Sequence, residues 1–219
     1  MRAFWILQVA VLLLLPSAIY AYRHRTDLKD AASGAALRLG ITFTVVFGVF
    51  VAGEIAFDVG GWRAAGLIAL WLVPLLALAS AGWFRPQNSI ALFAVLIALC
   101  GELYLWSALD PTTWGAFENS YGPVRTLVSM TLFAPLALLG RNRPRPAGIM
   151  LLTLAAIPVL VLLASLATGV PEGWPLLMVS VPAAVAGVLY LLSALPDPST
   201  SPPPKVVAGR TTSSSLRRS

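Results

Sequence analysis

The chain has 219 residues, of which 58% are hydrophobic and only 11% are charged, whereas a soluble domain carries roughly 25% charged residues. The apolar residues fall in blocks of about 19–22, the length of a membrane-spanning helix, and the alternating pattern of an outer-membrane barrel is absent. The net charge of +6 comes from basic residues in short segments between these blocks. Such segments set membrane topology, so the charge does not indicate nucleic-acid binding.

The apolar blocks predict an all-α membrane helix bundle, because lipid offers the backbone no hydrogen-bond partner outside a helix. Residues 1–195 form one predicted domain with seven transmembrane helices. In chain order the spans are Ala3–Tyr22, Ala36–Phe57, Trp62–Ala81, Ser89–Leu109, Pro123–Leu139, Pro146–Thr168 and Trp174–Leu195.

The two ends of the chain need separate interpretation. The first block resembles a signal peptide, but its length and the following Arg23, His24 and Arg25 predict an uncleaved span. Residues 196–219 are rich in Pro, Ser and Thr and carry four basic residues. They have too little apolar surface to fold, so we expect a disordered basic cytoplasmic tail.

The charged residues divide between the two predicted sides of the membrane. One side holds twelve basic residues and three acids, and the other holds three basic residues and six acids. Because basic loops stay in the cytoplasm, we expect the N-terminus outside, the C-terminus in the cytoplasm, and anionic lipids bound at the cytoplasmic face. Arg outnumbers Lys 13 to 2, which favours a bacterial protein of the plasma (inner) membrane.

Glu102 is the deepest acid of the chain and the main candidate for a polar site inside the membrane. It lies seven residues before the end of the fourth span, about 10 Å deep at 1.5 Å per residue. An acid at that depth normally faces the bundle interior with a partner, and Arg125, at the start of the fifth span, is the expected one. Two interpretations stay open: an ion- or ligand-binding site, or an ion pair that fixes two spans.

Glu54 and Arg63 form a shallower candidate pair across the Gly60-Gly61 sequence, which predicts a tight turn. Glu54 lies only about 4–5 Å from the outer boundary by the same rise per residue. A side chain at this depth can reach the lipid headgroups by extending along the helix, so a structural role competes with a functional one.

The predicted outer loop 110–122 carries two carboxylates among aromatic residues, with Asp110, Trp114, Glu118 and Tyr121 as candidates. Two carboxylates can support acid–base chemistry at the membrane surface. The Asp110-Pro111 sequence is also ordinary turn chemistry. The loop therefore does not by itself indicate an enzyme.

The remaining residues argue against bound cofactors and metals. His24 is the only histidine, which excludes bis-histidine haem and histidine-rich metal sites. No lysine lies in the last span, and no nucleotide or nucleophile-elbow motif occurs. We therefore predict no catalytic, cofactor-binding or metal-binding residues.

The sequence favours a structural or accessory membrane protein, with a membrane protein partner as one option. Two alternatives stay open. One is a small-solute or ion-coupled transporter with Glu102 and Arg125 in an outward-facing cavity, and the other is an outer-leaflet enzyme that uses the 110–122 loop.

Overall fold

The computed structural model describes residues 28–58, 60–121, 124–168 and 175–195, and the part it describes is entirely helical. Seven helices follow one another in these ranges: α1 (Leu28–Asp58), α2 (Gly61–Phe84), α3 (Pro86–Leu109), α4 (Pro111–Tyr121), α5 (Val124–Asn142), α6 (Pro144–Thr168) and α7 (Pro175–Ser193). The predicted first span and the predicted tail lie outside the described residues.

Five of these helices are long and apolar enough to cross a membrane, namely α1, α2, α3, α5 and α6. They correspond to the predicted second to sixth spans. The predicted seventh span corresponds to α7, whose apolar part, Met178–Ser193, is shorter. The finding supports a membrane-embedded helical protein of at least five candidate spans within the described ranges.

Proline and glycine mark where the helices begin. The first residue of α3, α4, α6 and α7 is a proline, which suits a helix start because its missing N–H would have no helical partner there. Gly60, just before α2, and Gly61, its first residue, both have positive φ, at 65° and 57°, a conformation that glycine adopts without steric cost. Positive φ at both glycines is compatible with the tight turn predicted there.

Helix α5 is the centre of the bundle and packs against α1, α2, α3, α6 and α7. Most of its residues are buried, yet it is the least apolar of the five candidate spans. Its polar side chains Thr126 and Ser129 point into protein. A helix surrounded by other helices does not face lipid, so it can carry hydroxyl groups that a peripheral helix would expose to hydrocarbon.

Close backbone contacts hold α6 against α7, the most extensive helix pair of the described structure. A Cβ atom built on Gly148 would lie 2.9 Å from the carbonyl oxygen of Gly187, and one built on Gly187 would lie 3.0 Å from the carbonyl oxygen of Gly148. Ala183 and Ala186 are fully buried in the same region. Small residues thus allow the two backbones to approach.

The two ends of the bundle differ in character. We call the end with residues 107–121, 124 and 125 the Arg125 end and the end with residues 82–89 and 139–145 the Arg141 end. At the latter, the guanidinium of Arg141 lies 5.1 Å from the ring centre of Trp83. The Nδ2 group of Asn142 donates a hydrogen bond to the Trp83 carbonyl oxygen at 3.4 Å, so α2 and α5 end side by side.

Candidate functional site

The stretch 110–122 contains a helix, where the sequence analysis expected a loop. Asp110 caps α4: its Oδ1 accepts a hydrogen bond from the Thr113 backbone N–H at 3.1 Å and one from the Thr112 hydroxyl at 2.9 Å. Asp at the N-cap with Pro at the first helical position is a helix-start signal. These residues were interpreted as a turn, and the cap would have identified α4.

The hydrogen bonds from Thr113 and Thr112 also lower the pKa of Asp110 below its ordinary value. The cause is that they stabilise the ionised carboxylate. The Asp110 side chain therefore caps α4, and this capping role explains why an aspartate lies at the junction of α3 and α4.

Arg125, in the first turn of α5, is bound by Glu118 from α4. Its Nε and NH2 groups donate to the two carboxylate oxygens of Glu118 at 3.1 and 2.8 Å. This bidentate geometry is the strong form of an Arg–carboxylate pair. The side chains are only 13% and 21% exposed, so the pair is partly shielded from solvent.

Two further groups complete the surroundings of the Arg125 guanidinium. The NH1 group donates to the Ser107 hydroxyl at 3.0 Å, which ties α5 to α3. The ring centre of Trp114, whose side chain is only 2% exposed, lies 5.7 Å from the guanidinium carbon. Trp106 packs edge-on against Trp114 with 5.2 Å between ring centres, so the cation lies beside an aromatic cluster.

Below Arg125 a chain of hydroxyl groups continues into the bundle. The Ser129 hydroxyl donates to the Arg125 carbonyl oxygen at 3.0 Å and lies 3.1 Å from the Tyr104 hydroxyl. The Cys100 thiol is 3.5 Å from the same Ser129 oxygen. We call the hydrogen-bonded set Cys100, Tyr104, Ser107, Glu118, Arg125 and Ser129 the Arg125 network. It joins α3, α4 and α5 at one end of the bundle.

Glu102 does not belong to the Arg125 network. It lies on α3 between Cys100 and Tyr104, which both point inwards, and its own side chain is exposed on the outside of the bundle. Within the described part of the chain, it has no hydrogen-bond or ion-pair partner. The partner expected for it, Arg125, binds Glu118 instead.

The other predicted candidates are only partly described. Arg63 is exposed in the first turn of α2. Glu54 lies near the end of α1, and Tyr121 is the last residue of α4, but neither side chain is among those described. The Glu54–Arg63 pair therefore stays a prediction.

Four members of the Arg125 network were not among the predicted site residues: Cys100, Tyr104, Ser107 and Ser129. A hydroxyl in an apolar span gives a weak signal, because it can bond to its own helix backbone. The spacing of Cys100, Tyr104 and Ser107, at intervals of four and three residues, was nevertheless visible and places them on one face of a helix. Among the described residues, no three acidic, cysteine or histidine side chains come close enough to hold a metal ion.

Comparison of the chain with protein-family models, with curated proteins and with solved structures found no match. The features of the described chain that bear on function are the Arg125 network and the exposed face of α3.

Proposed function

We propose that the chain is an accessory membrane protein that binds another membrane protein laterally through the outer face of α3. One observation carries the proposal: Glu102 is exposed on that face without a partner in the described chain, while Arg125 is engaged by Glu118. The partner is a transmembrane helix that presents a hydrogen-bond donor at the depth of Glu102.

The energetic reason is the cost of an acid that faces hydrocarbon. An unpartnered acid at the centre of a span costs about 2.5–3.5 kcal/mol or more. A neighbouring helix with an amide, hydroxyl or basic group would recover part of this cost by a direct hydrogen bond. Lateral association therefore supplies Glu102 with a hydrogen-bond partner, which the described bundle alone does not.

The same face of α3 carries small side chains that permit a close approach. Ala91, Ala94 and Ala98 are all exposed, and together with Glu102 they follow one another at intervals of three, four and four residues. Residues at this spacing form one stripe along a helix, and small residues in such a stripe favour helix association in membranes.

The proposal is tested by site-specific photocrosslinking in cells that express the chain at its native level. A photoreactive residue at Ala98 is expected to give one protein adduct of defined mass. The Glu102→Leu substitution should reduce that adduct at least about fivefold, and Glu102→Gln, which still forms hydrogen bonds, should largely retain it. The matched control is the same residue at Leu160, which is exposed on α6. Adducts with lipid alone, or only with a second copy of the chain, would overturn the proposal.

The transporter alternative needs water to reach the Arg125 network. Cys100, at its inner end, is only 1% exposed, and each member of the network has a hydrogen-bond partner within the protein. We therefore expect charged, membrane-impermeant thiol reagents to leave Cys100 unlabelled. Rapid labelling, together with a solute flux abolished by Glu102→Gln, would favour transport.

The enzyme alternative has less support, because both carboxylates of the 110–122 stretch have structural partners. Asp110 caps the helix and Glu118 binds Arg125. We further propose a bacterial plasma membrane, with the basic Arg141 end in the cytoplasm and in contact with anionic lipid headgroups.

A further inference from the structure

A groove between α2 and α3, with α5 as its floor, is a second feature of the bundle and is independent of Glu102. Leu70 and Trp71 belong to its α2 wall, Leu99 and Leu103 to its α3 wall, and Val124 and Thr131 to its floor. Leu70 is 72% exposed and Leu99 is 53% exposed. The groove therefore opens sideways, towards the medium that surrounds the bundle.

The lining of the groove offers hydrocarbon and no unsatisfied side-chain donor. The Trp71 indole N–H donates to the Thr131 hydroxyl at 2.9 Å, and that hydroxyl donates to the Leu127 carbonyl oxygen at 2.7 Å. The thiol of Cys100, which also lines the groove, is bonded to Ser129. An occupant thus gains apolar contact and no hydrogen bonds from these side chains, which excludes a peptide strand or a headgroup as the natural fit.

The length of the groove distinguishes a lipid chain from a transmembrane helix. Its volume is about 460 Å³, and its floor runs from Val124 to Leu132, nine residues whose eight rises give about 12 Å of helix. A helix that crosses the bilayer needs about 30 Å of contact along its length, which is more than twice the length of this groove. The length is close to the hydrocarbon depth of one leaflet, about 15 Å.

We propose that this groove binds a single lipid hydrocarbon chain. The chain lies along α5 between Leu70 and Leu99. Its polar end lies near Val124, where the Arg125 network and Trp106 begin. The Trp71–Thr131 hydrogen bond fixes the floor, so the groove exists before the lipid enters it. This site goes beyond the proposed lateral association and does not depend on it, because Glu102 does not line the groove.

The experiment uses the full chain in nanodiscs of phosphatidylcholine that contain a small fraction of the same lipid with a photoreactive group in mid-chain. After irradiation, peptide mapping is expected to concentrate the label on Leu70, Trp71, Leu99 and Leu103. After delipidation in mild detergent, native mass spectrometry should detect about one retained lipid. Equal labelling of the groove and of the outer face of α3 would show only the surrounding lipid layer and would overturn the proposal.

Two substitutions on one helix provide the control. Leu99→Trp fills the groove and should lower the groove label and the retained lipid at least about fivefold. Leu105→Trp introduces the same side chain at a residue of α3 with similar exposure, 58%, outside the groove, and should change neither. Leu103→Phe fills the groove less and should lower the groove label and the retained lipid to a smaller extent. If both groove variants kept the label and the lipid at the level of the unaltered chain, the proposal would be contradicted.

Discussion

Arg125 shows how one side chain joins three helices. Its guanidinium binds a carboxylate of α4 and a hydroxyl of α3, and its backbone belongs to the first turn of α5. Removing one member of a shielded ion pair leaves the other charge without compensation, which costs more than the intact pair contributes. Replacing Arg125 alone should therefore cost more stability than is expected once its partner Glu118 has also been replaced.

A double-mutant cycle on this pair should reveal that coupling. Arg125→Met and Glu118→Leu are each expected to lower the free energy of unfolding by about 2–3 kcal/mol, between surface and fully buried pairs. The double variant should lose at least about 1 kcal/mol less than the sum of the two losses. Reversible unfolding in mixed micelles measures this, with exposed Arg145→Met as the control. Additive losses would show that the two charges do not interact.

Asp110 gives a prediction with a defined dependence on pH. The pKa of this carboxyl is lower in the folded protein than its ordinary value. The ionised carboxylate therefore stabilises the start of α4 fully at pH values above the ordinary pKa. This stabilisation is lost as the pH falls through the lowered pKa of the folded protein. Protection of the first α4 amides from hydrogen exchange, corrected for intrinsic rates, should be constant above pH ~5 and should fall as the pH drops below the ordinary aspartate pKa of about 3.9.

Two substitutions identify the group responsible for this pH dependence. Asp110→Asn keeps a capping oxygen and should remove the pH dependence while it retains most of the protection. Asp110→Ala should lose the protection at every pH. Unchanged protection in Asp110→Ala would mean that α4 is held by its contacts with α3 and not by its cap.

At the scale of the helices, α4 was the element that the sequence analysis missed. Its residues are only weakly apolar and its length is 11 residues, so the sequence contains no hydrophobic block that would predict this helix. Its cap, Asp110-Pro111, is a local signal that can also be a turn. Once 110–122 is interpreted as a loop, Glu118 has no fixed position, and the more distant Glu102 becomes the apparent partner of Arg125. One missed cap thus led to the wrong ion pair.

The long helices were predictable because their apolar residues must match the membrane thickness. The ends of α2, α3, α5 and α6 fall within three residues of the predicted spans. The start of α1 differs more: the span was predicted from Ala36, and the helix begins at Leu28. Beyond the membrane boundary a helix can continue wherever its residues favour it, and the Ala-rich sequence here does.

The α6–α7 contact predicts how two glycines respond to the same substitution. Gly187→Ala places a Cβ about 3.0 Å from the Gly148 carbonyl oxygen, so the helices must separate, and we expect a loss of roughly 1–3 kcal/mol of stability. Gly66→Ala is the control, because nothing lies within 4 Å of its added Cβ. It should leave stability unchanged or slightly higher. The measurement is the thermal unfolding of the detergent-solubilised variants. Equal unfolding temperatures for Gly187→Ala and Gly66→Ala would contradict the close contact.

The whole bundle distributes polar groups in the way that a lipid solvent requires. Its central helix carries buried hydroxyl groups, whereas peripheral helices expose large apolar side chains such as Val46, Leu70 and Leu160. In water the opposite pattern would be expected, since the hydrophobic effect would drive these side chains inwards. The sequence indicated the medium from composition alone. It could not show that α5 is central, because the order of helices around an axis depends on side-chain packing and not on hydropathy.

The orientation of the bundle follows from its charges and is the last prediction. The Arg141 end carries Arg85, Arg141, Arg143 and Arg145, so it should be cytoplasmic. In a Cys100→Ser background, exposed Trp62→Cys should react with an impermeant maleimide on intact cells. Exposed Asn88→Cys should react only after permeabilisation. A reporter fused after Leu195 should likewise be active in the cytoplasm. Labelling of Asn88→Cys on intact cells would invert the bundle, place the Arg125 network at the cytoplasmic surface, and contradict the charge rule for this chain.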